Sequence, residues 1–160
     1  MEQSPEAIEE IKQLKSRYFH GIDEKDWELL RSTLTDDAVL DFSGEVELHV
    51  GHHGVESADD PAAWILHGGD EGTEKIAEIV TPVVSTHQGH DPQITILTAD
   101  EARGIWSMYD CLDYGEEVFF GYGYYHEQYR LVGDRWRISY MKLSRLRTEW
   151  RSGVDGTGAR

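Results

Sequence analysis

His87 and His90 close the segment Thr86-His87-Gln88-Gly89-His90, two imidazoles just ahead of the turn signal Asp91-Pro92. Histidine is the side chain most readily poised as a general base near neutral pH. Beside a carboxylate such as Asp23 or Asp110 it could take a proton from a carbon or a hydroxyl. Alone at a strand end it could simply hydrogen-bond backbone. Two further charges stand where burial is costly. In Gly104 to Leu112, strand alternation puts Trp106, Met108, Asp110 and Leu112 on one face. A carboxylate there needs a partner, or its pKa rises. Met141, Leu143 and Arg145 share a face in the same way, and the forked guanidinium could pair with a buried acid or hold a polar ligand atom. Tyr18 lies on the apolar stripe of the first predicted helix. Asp23 follows its end, where acids are disfavoured by the helix dipole; a cap or turn for Glu24-Lys25-Asp26 is the other reading.

The elements that must position these groups fall into two halves. Ser4-Pro5-Glu6 reads as an N-cap, a proline at the first helical position and an acid in the first turn. Ile8, Ile11, Leu14, Tyr18 and Ile22 then recur at helical spacing, which predicts an amphipathic helix from 5 to about 22. Asp26 can cap a short second helix, Ala38 to Phe42 looks like a strand, and periodicity returns from Thr73 to about Pro82. Residues 43–72, rich in Gly, His and acid, read as a variable insert or lid. The second half is strand-like over Val84 to Gly89, Gln93 to Thr98, Ala102 to Tyr114, Val118 to Val132 and Arg135 to Arg147. Residues 151–160 are expected to form a disordered tail after a single domain spanning 1–150. Helices followed by a long antiparallel meander give an α+β class. Three helices cover only one face of such a sheet, so it should curl around them as a cone and leave a cavity for a small molecule.

A formal net charge of −16 disfavours nucleic acid and anionic membrane surfaces as partners. No apolar run approaches a membrane span, the N-terminus lacks a secretory layout, and a lone Cys111 fits a reducing compartment, so a cytoplasmic protein is expected. His49, His52, His53, His87 and His90 are metal-type side chains, yet neither His49-Val50-Gly51-His52-His53 nor the 87/90 pair has a recognised zinc spacing. No metal and no cofactor is expected.

Leu14 to Asp23, Trp27, Leu34-Thr35-Asp36-Asp37-Ala38-Val39, His87 to Pro92, Gly104-Ile105-Trp106, Tyr125 to Tyr129 and Trp136 through Arg145 together resemble the SnoaL-like branch of the nuclear transport factor 2-like superfamily. The pattern is most similar to dehydratases of the bile acid 7α and scytalone types. The resemblance implies a cone-shaped, strongly curved, mostly antiparallel sheet around about three N-terminal helices. It also implies a catalytic set of Tyr18, Asp23, His87, Asp110 and Arg145. Phe42 stands where the dehydratase-like pattern places a pocket tyrosine. With Phe42, the residues His90, Trp106, Met108, Tyr124 and Tyr129 are the expected substrate wall. The implied activity is that of a cofactor-independent, dehydratase-type lyase. It would abstract a proton next to a carbonyl on a small, neutral, hydrophobic ring compound, sterol-like or polyketide-like. An isomerase or cyclase in the same pocket, or a non-catalytic binding domain, are the alternatives, and a homodimer or homotrimer is the implied assembly.

Overall fold

A computed structural model describes residues 4–153 of the chain. Helix α1 (Pro5–Asp23) begins as its first residues dictate: the Ser4 hydroxyl accepts a hydrogen bond from the Ala7 amide, and proline occupies the first turn. Asp26 caps α2 (Trp27–Ser32) by accepting from the Leu29 amide at 2.9 Å. Strand β1 (Leu34–Asp41) starts four residues before the expected point, since the exposed Asp36 and Asp37 interrupt its apolar pattern without ending it. After two single 3-10 turns, Ser43–Glu45 and Pro61–Trp64, come β2 (Ile65–His67) and α3 (Gly69–Val80). The helix thus starts ahead of Thr73. Gly68 turns into it at φ 113°, and a side chain at Gly69 would strike the Thr35 carbonyl and the Arg31 guanidinium.

The long strands are β3 (Val84–Ile96), β4 (Glu101–Asp113), β5 (Glu117–Val132) and β6 (Arg135–Ser152). Two strands expected at 84–89 and 93–98 are one: Asp91, at φ 43°, and Pro92 form a bulge between His90 and Gln93 rather than a turn. The expected boundary at Arg147 also moves, because β6 continues beside β5 to Ser152; residues 154–160 of the expected tail lie outside the described residues. The sheet runs in the order β2-β1-β6-β5-β4-β3, antiparallel throughout except for the parallel β1–β6 pair. It is an open cone of the α+β class, curled around α1, α2 and α3. Ile11, Leu14, Leu30, Leu34, Leu40, Ile138 and Met141 fill the space between helices and sheet. No helix of the described residues is long and apolar enough to cross a membrane.

An ion pair sits inside this core. Lys15, on the buried face of α1, pairs with Glu127 of β5, and both side chains are about 1% exposed or less. Tyr129 donates its hydroxyl to Glu127 at 2.5 Å, and the Trp106 indole N–H donates to Tyr129 at 2.8 Å. The ammonium also lies 3.7 Å from the centroid of the Tyr125 ring and 4.2 Å from that of Tyr18. Burial lowers the Lys15 pKa despite the facing carboxylate.

The segment after β1 is docked by rings. His52 stacks on Trp150 at 4.1 Å and His53 on Tyr114 at 4.0 Å. Glu117 accepts from His52 Nδ1 at 2.9 Å and from the His53 amide at 2.8 Å. His49 meets His53 ring to ring, nitrogen to nitrogen at 3.0 Å, and packs on Phe119. Burial, then the neighbouring His53 and Arg145, lower the His49 pKa to about 4.

Two outcomes follow from these buried charges. Lys15→Met strands the Glu127 carboxylate, and urea denaturation should show a loss of about 3–5 kcal/mol. Lys15→Met with Glu127→Gln, which keeps an acceptor for Tyr129, should lose clearly less; an equal loss would mean that the pair is not the cause. His49 binds its proton less readily folded than at its ordinary 6.5. Its stabilising contribution is therefore complete above about pH 6.5 and lost as pH falls towards about 4. Thermal melts of His49→Phe should decline less steeply over that window than those of the parent chain.

Candidate active site

Between the concave face of the sheet, α1, α3 and the segment after β1 lies a cavity of about 1120 Å³. Tyr18 and Ile22 of α1, Phe42, His87 of β3, Asp110 of β4, Tyr125 of β5, and Leu143 and Arg145 of β6 all line it. Four of the five residues implied as catalytic form two groups, and the fifth, Tyr18, stands apart from both.

The first is an imidazole–carboxylate pair. The end of α1 brings Asp23 to the start of β3, where its Oδ1 accepts from His87 Nδ1 at 2.7 Å and its Oδ2 accepts from the His87 amide at 2.8 Å. The Ser85 hydroxyl donates to Oδ1 at 2.9 Å. Burial works to raise the Asp23 pKa, but these hydrogen bonds and the imidazole outweigh it and hold the carboxyl below its ordinary value. An ionised carboxylate only accepts, so the proton on His87 sits at Nδ1 and Nε2 carries the free lone pair. Asp23 is thus neither a helix cap nor a turn former; the misplaced acid has an imidazole to hold.

The second group is a buried three-charge cluster. Arg145 Nη1 and Nη2 donate to the two oxygens of Asp110 at 2.7 and 2.8 Å. On its other edge Nε and Nη2 donate to Glu45 at 3.0 and 2.8 Å, and Nη1 also reaches Met108 Sδ at 3.4 Å. All five N–H donors are engaged, so the arginine fixes the acid and has no donor left over. Burial raises the Glu45 pKa, only partly offset by Arg145. For Arg145, burial opposes the charge, yet the hydrogen bonds and charges of Asp110 and Glu45 win and raise its pKa. Gly121 faces Asp110 across the sheet, and a Cβ there would overlap both the Asp110 carboxylate and the Arg145 guanidinium.

Tyr18 and Tyr125 complete the wall. Each is at most 2% exposed, and neither hydroxyl has a hydrogen-bond partner among the described residues. Burial, joined by Glu127 and Asp23 for Tyr18, pushes both phenols well above their ordinary pKa. They are therefore neutral donors.

The expected substrate wall is only partly there. Phe42 lines the cavity. Trp106 and Tyr129 instead belong to the buried network of Lys15 and Glu127, and Met108 lies behind Arg145. Tyr124 faces away. Gly121, Gly123 and Tyr125 take the inner side of β5, leaving Tyr124 half-exposed beside His126. His90 is exposed on a second groove of about 530 Å³, which also reaches His87 from behind. Among the described residues, no three His, Cys, Asp or Glu side chains converge as metal ligands would. Glu45 and Tyr114 carry no signal as wall residues in the sequence, His49 reads only as a metal-type side chain, and Tyr125 only as part of the segment that resembles the family. Only Tyr125 had a usable signal, the small-small-large alternation with Gly121 and Gly123.

The cone has counterparts of known structure. A hexachlorocyclohexane dehydrochlorinase, LinA type 2, superposes with a TM-score of 0.73 at 17% identity, over 95% of this chain and 93% of that one. LinA type 3 from Novosphingobium barchaimii gives 0.72 at 18% identity, over 96% and 95%. A scytalone dehydratase-like protein from Novosphingobium aromaticivorans gives 0.72 at 15% identity, also over 96% and 95%. At these identities the likeness is one of fold. The sequence model of the SnoaL-like domain matches residues 3–142. By that match over most of its length, the chain belongs to the SnoaL-like domain family.

Proposed function

We propose that this protein is a cofactor-independent lyase of the dehydratase type, acting on a small hydrophobic ring compound by proton abstraction next to a carbonyl. The observation that carries this reading is His87, held by Asp23 from behind, on the wall of a cavity that Tyr18 and Tyr125 also line. The dehydrochlorinase and dehydratase names among proteins of the same fold support it as analogy.

The proposed reaction runs in two stages. Nε2 of His87 takes the proton from the carbon adjacent to the carbonyl, and the C–H electron pair moves to the carbonyl oxygen. Asp23 holds the ring in the required tautomer and stabilises the imidazolium that forms. The new oxyanion accepts from Tyr18 and Tyr125, neutral donors kept dry by burial; one preorganised donor of this kind is worth about 3 kcal/mol. The electron pair then returns, the carbonyl and a conjugated double bond form, and the C–O bond to the β-hydroxyl breaks. His87 gives its proton to the departing hydroxide, which leaves as water, and the imidazole is neutral again. Asp110 and Arg145 act as a brace that holds the concave face open. An isomerase shares the first step and differs in returning the proton to another carbon.

That shared first step is testable without the natural substrate. Cyclic β-hydroxy-ketones in deuterated water should exchange their α-proton in the presence of the protein, read by proton NMR. Loss of water from the same compound marks a dehydratase; exchange with a shifted double bond marks an isomerase. His87→Ala should lower the exchange rate by about 10²–10⁴-fold, and Asp23→Asn should lower it with little change in ketone affinity. Binding without exchange would identify a non-catalytic binding domain, and exchange unaffected by either variant would overturn the assignment.

A further inference from the structure

The charges around the cavity bear on what enters it. Glu45 and Asp110 lie in its wall near Arg145; Glu56, Asp59, Glu78, Glu116 and Glu117 lie towards its rim. Against these seven carboxylates stand two cations, Lys75 and Arg145. Neither is free. Arg145 spends every donor on Glu45, Asp110 and Met108, so that cluster keeps one more negative charge than positive. Lys75 is shared between Glu78, at 3.4 Å, and the face of Trp64, 5.3 Å from the ring centroid. A cleft of one sign with low-dielectric walls concentrates its field where a ligand must pass. A carboxylate or phosphate group would meet no unpaired cation here, and would be repelled on entry.

We infer that the ring compound taken by this cavity carries a protonated amine, its ring system lying against the apolar wall and its ammonium facing the acidic rim. The inference rests on the reading of the cavity as the substrate site, though not on the reaction carried out there. Three observations point the same way. The wall already holds one ammonium against an aromatic face at Trp64 and a carboxylate at Glu78, the pair of contacts that a ligand amine requires. Asp59 accepts from the Trp64 indole N–H through one oxygen at 3.0 Å, which leaves its other oxygen open beside the same ring. Tyr18 and Tyr125, nine-tenths buried and more, line the same cavity with hydroxyls that have no hydrogen-bond partner among the described residues, and suit a carbonyl oxygen on such a ligand. The ring framework thus stays apolar; the addition is a cationic substituent.

The test is a matched series on one skeleton: 2-(aminomethyl)naphthalene, 2-naphthalenemethanol and 2-naphthoate, titrated against the full chain at pH 7 with tryptophan fluorescence as readout. The amine should bind about tenfold tighter than the alcohol at about 20 mM salt, a difference of about 1.4 kcal/mol. Its advantage should shrink at about 200 mM salt, where screening sets in within about 8 Å. The naphthoate should bind least. A variant carrying Glu56→Gln, Asp59→Asn and Glu116→Gln, all exposed positions, should lose the amine's advantage and keep its affinity for the alcohol. An amine that binds no better than the alcohol, in a protein that binds the alcohol, overturns this inference alone and leaves the deuterium-exchange result standing. Failure of all three to bind overturns it together with the reading of the cavity as a site for ring compounds.

Discussion

A guanidinium has five N–H donors, and a chain that buries one must supply acceptors for all of them. Arg145 meets that demand with Asp110 from β4, Glu45 from the turn after β1, and the sulfur of Met108. The contact therefore ties β6 both to β4, two strands away in the sheet, and to the turn after β1. The segment carrying His49, His52 and His53 follows Glu45 directly, and its docking on Trp150 and Tyr114 starts from a point fixed by that ion pair. Removing the arginine would leave two carboxylates facing each other under low dielectric, which is why the cluster behaves as a unit rather than as two separable salt bridges.

The two buried ionic groups have different tasks. Lys15 and Glu127 belong to the packed side of the cone, behind Tyr18 and Tyr125, where the ammonium sits against the faces of both rings. Arg145 with its two acids belongs to the open side. Between them the tyrosine hydroxyls are held by packing rather than by hydrogen bonds, which leaves them free to donate to an incoming oxygen. His87, by contrast, is held by hydrogen bonds on both its ring and its backbone amide. Under the proposed lyase reading, a donor kept available and a base kept oriented are the two conditions that proton abstraction next to a carbonyl imposes.

Much of this frame was legible because its signals are local. Ser4-Pro5 and Asp26 announce two helix starts within a few residues, and alternation in β4 and β6 places Asp110 and Arg145 on inward faces without knowledge of their partners. What stayed hidden depends on distant contacts. Glu45 meets Arg145 a hundred positions later, and no spacing rule connects them. Lys15 passes unnoticed in a helix read by its apolar stripe, because its carboxylate is on another strand. The inward face of β5 is hard to read for a third reason. Rings occur on both of its faces, and only the pairing of Gly121 with the inward Asp110 of β4, with β5 alternating unbroken from there, turns Tyr125 inward and Tyr124 out.

Gly121 shows what this arrangement means for the sequences open to the fold. The absent side chain at that position is the space into which the Asp110–Arg145 pair fits, so any larger residue must displace an ion pair already short of room. Conversely, if Asp110 and Arg145 were both replaced by smaller apolar residues, the constraint on position 121 would lapse and a β-carbon there would fill the gap. The three positions are thus coupled sterically. The order of substitution then matters to the folded chain: replacing the pair first leaves a gap that a side chain at 121 can fill, whereas replacing the glycine first sets a β-carbon against the intact pair.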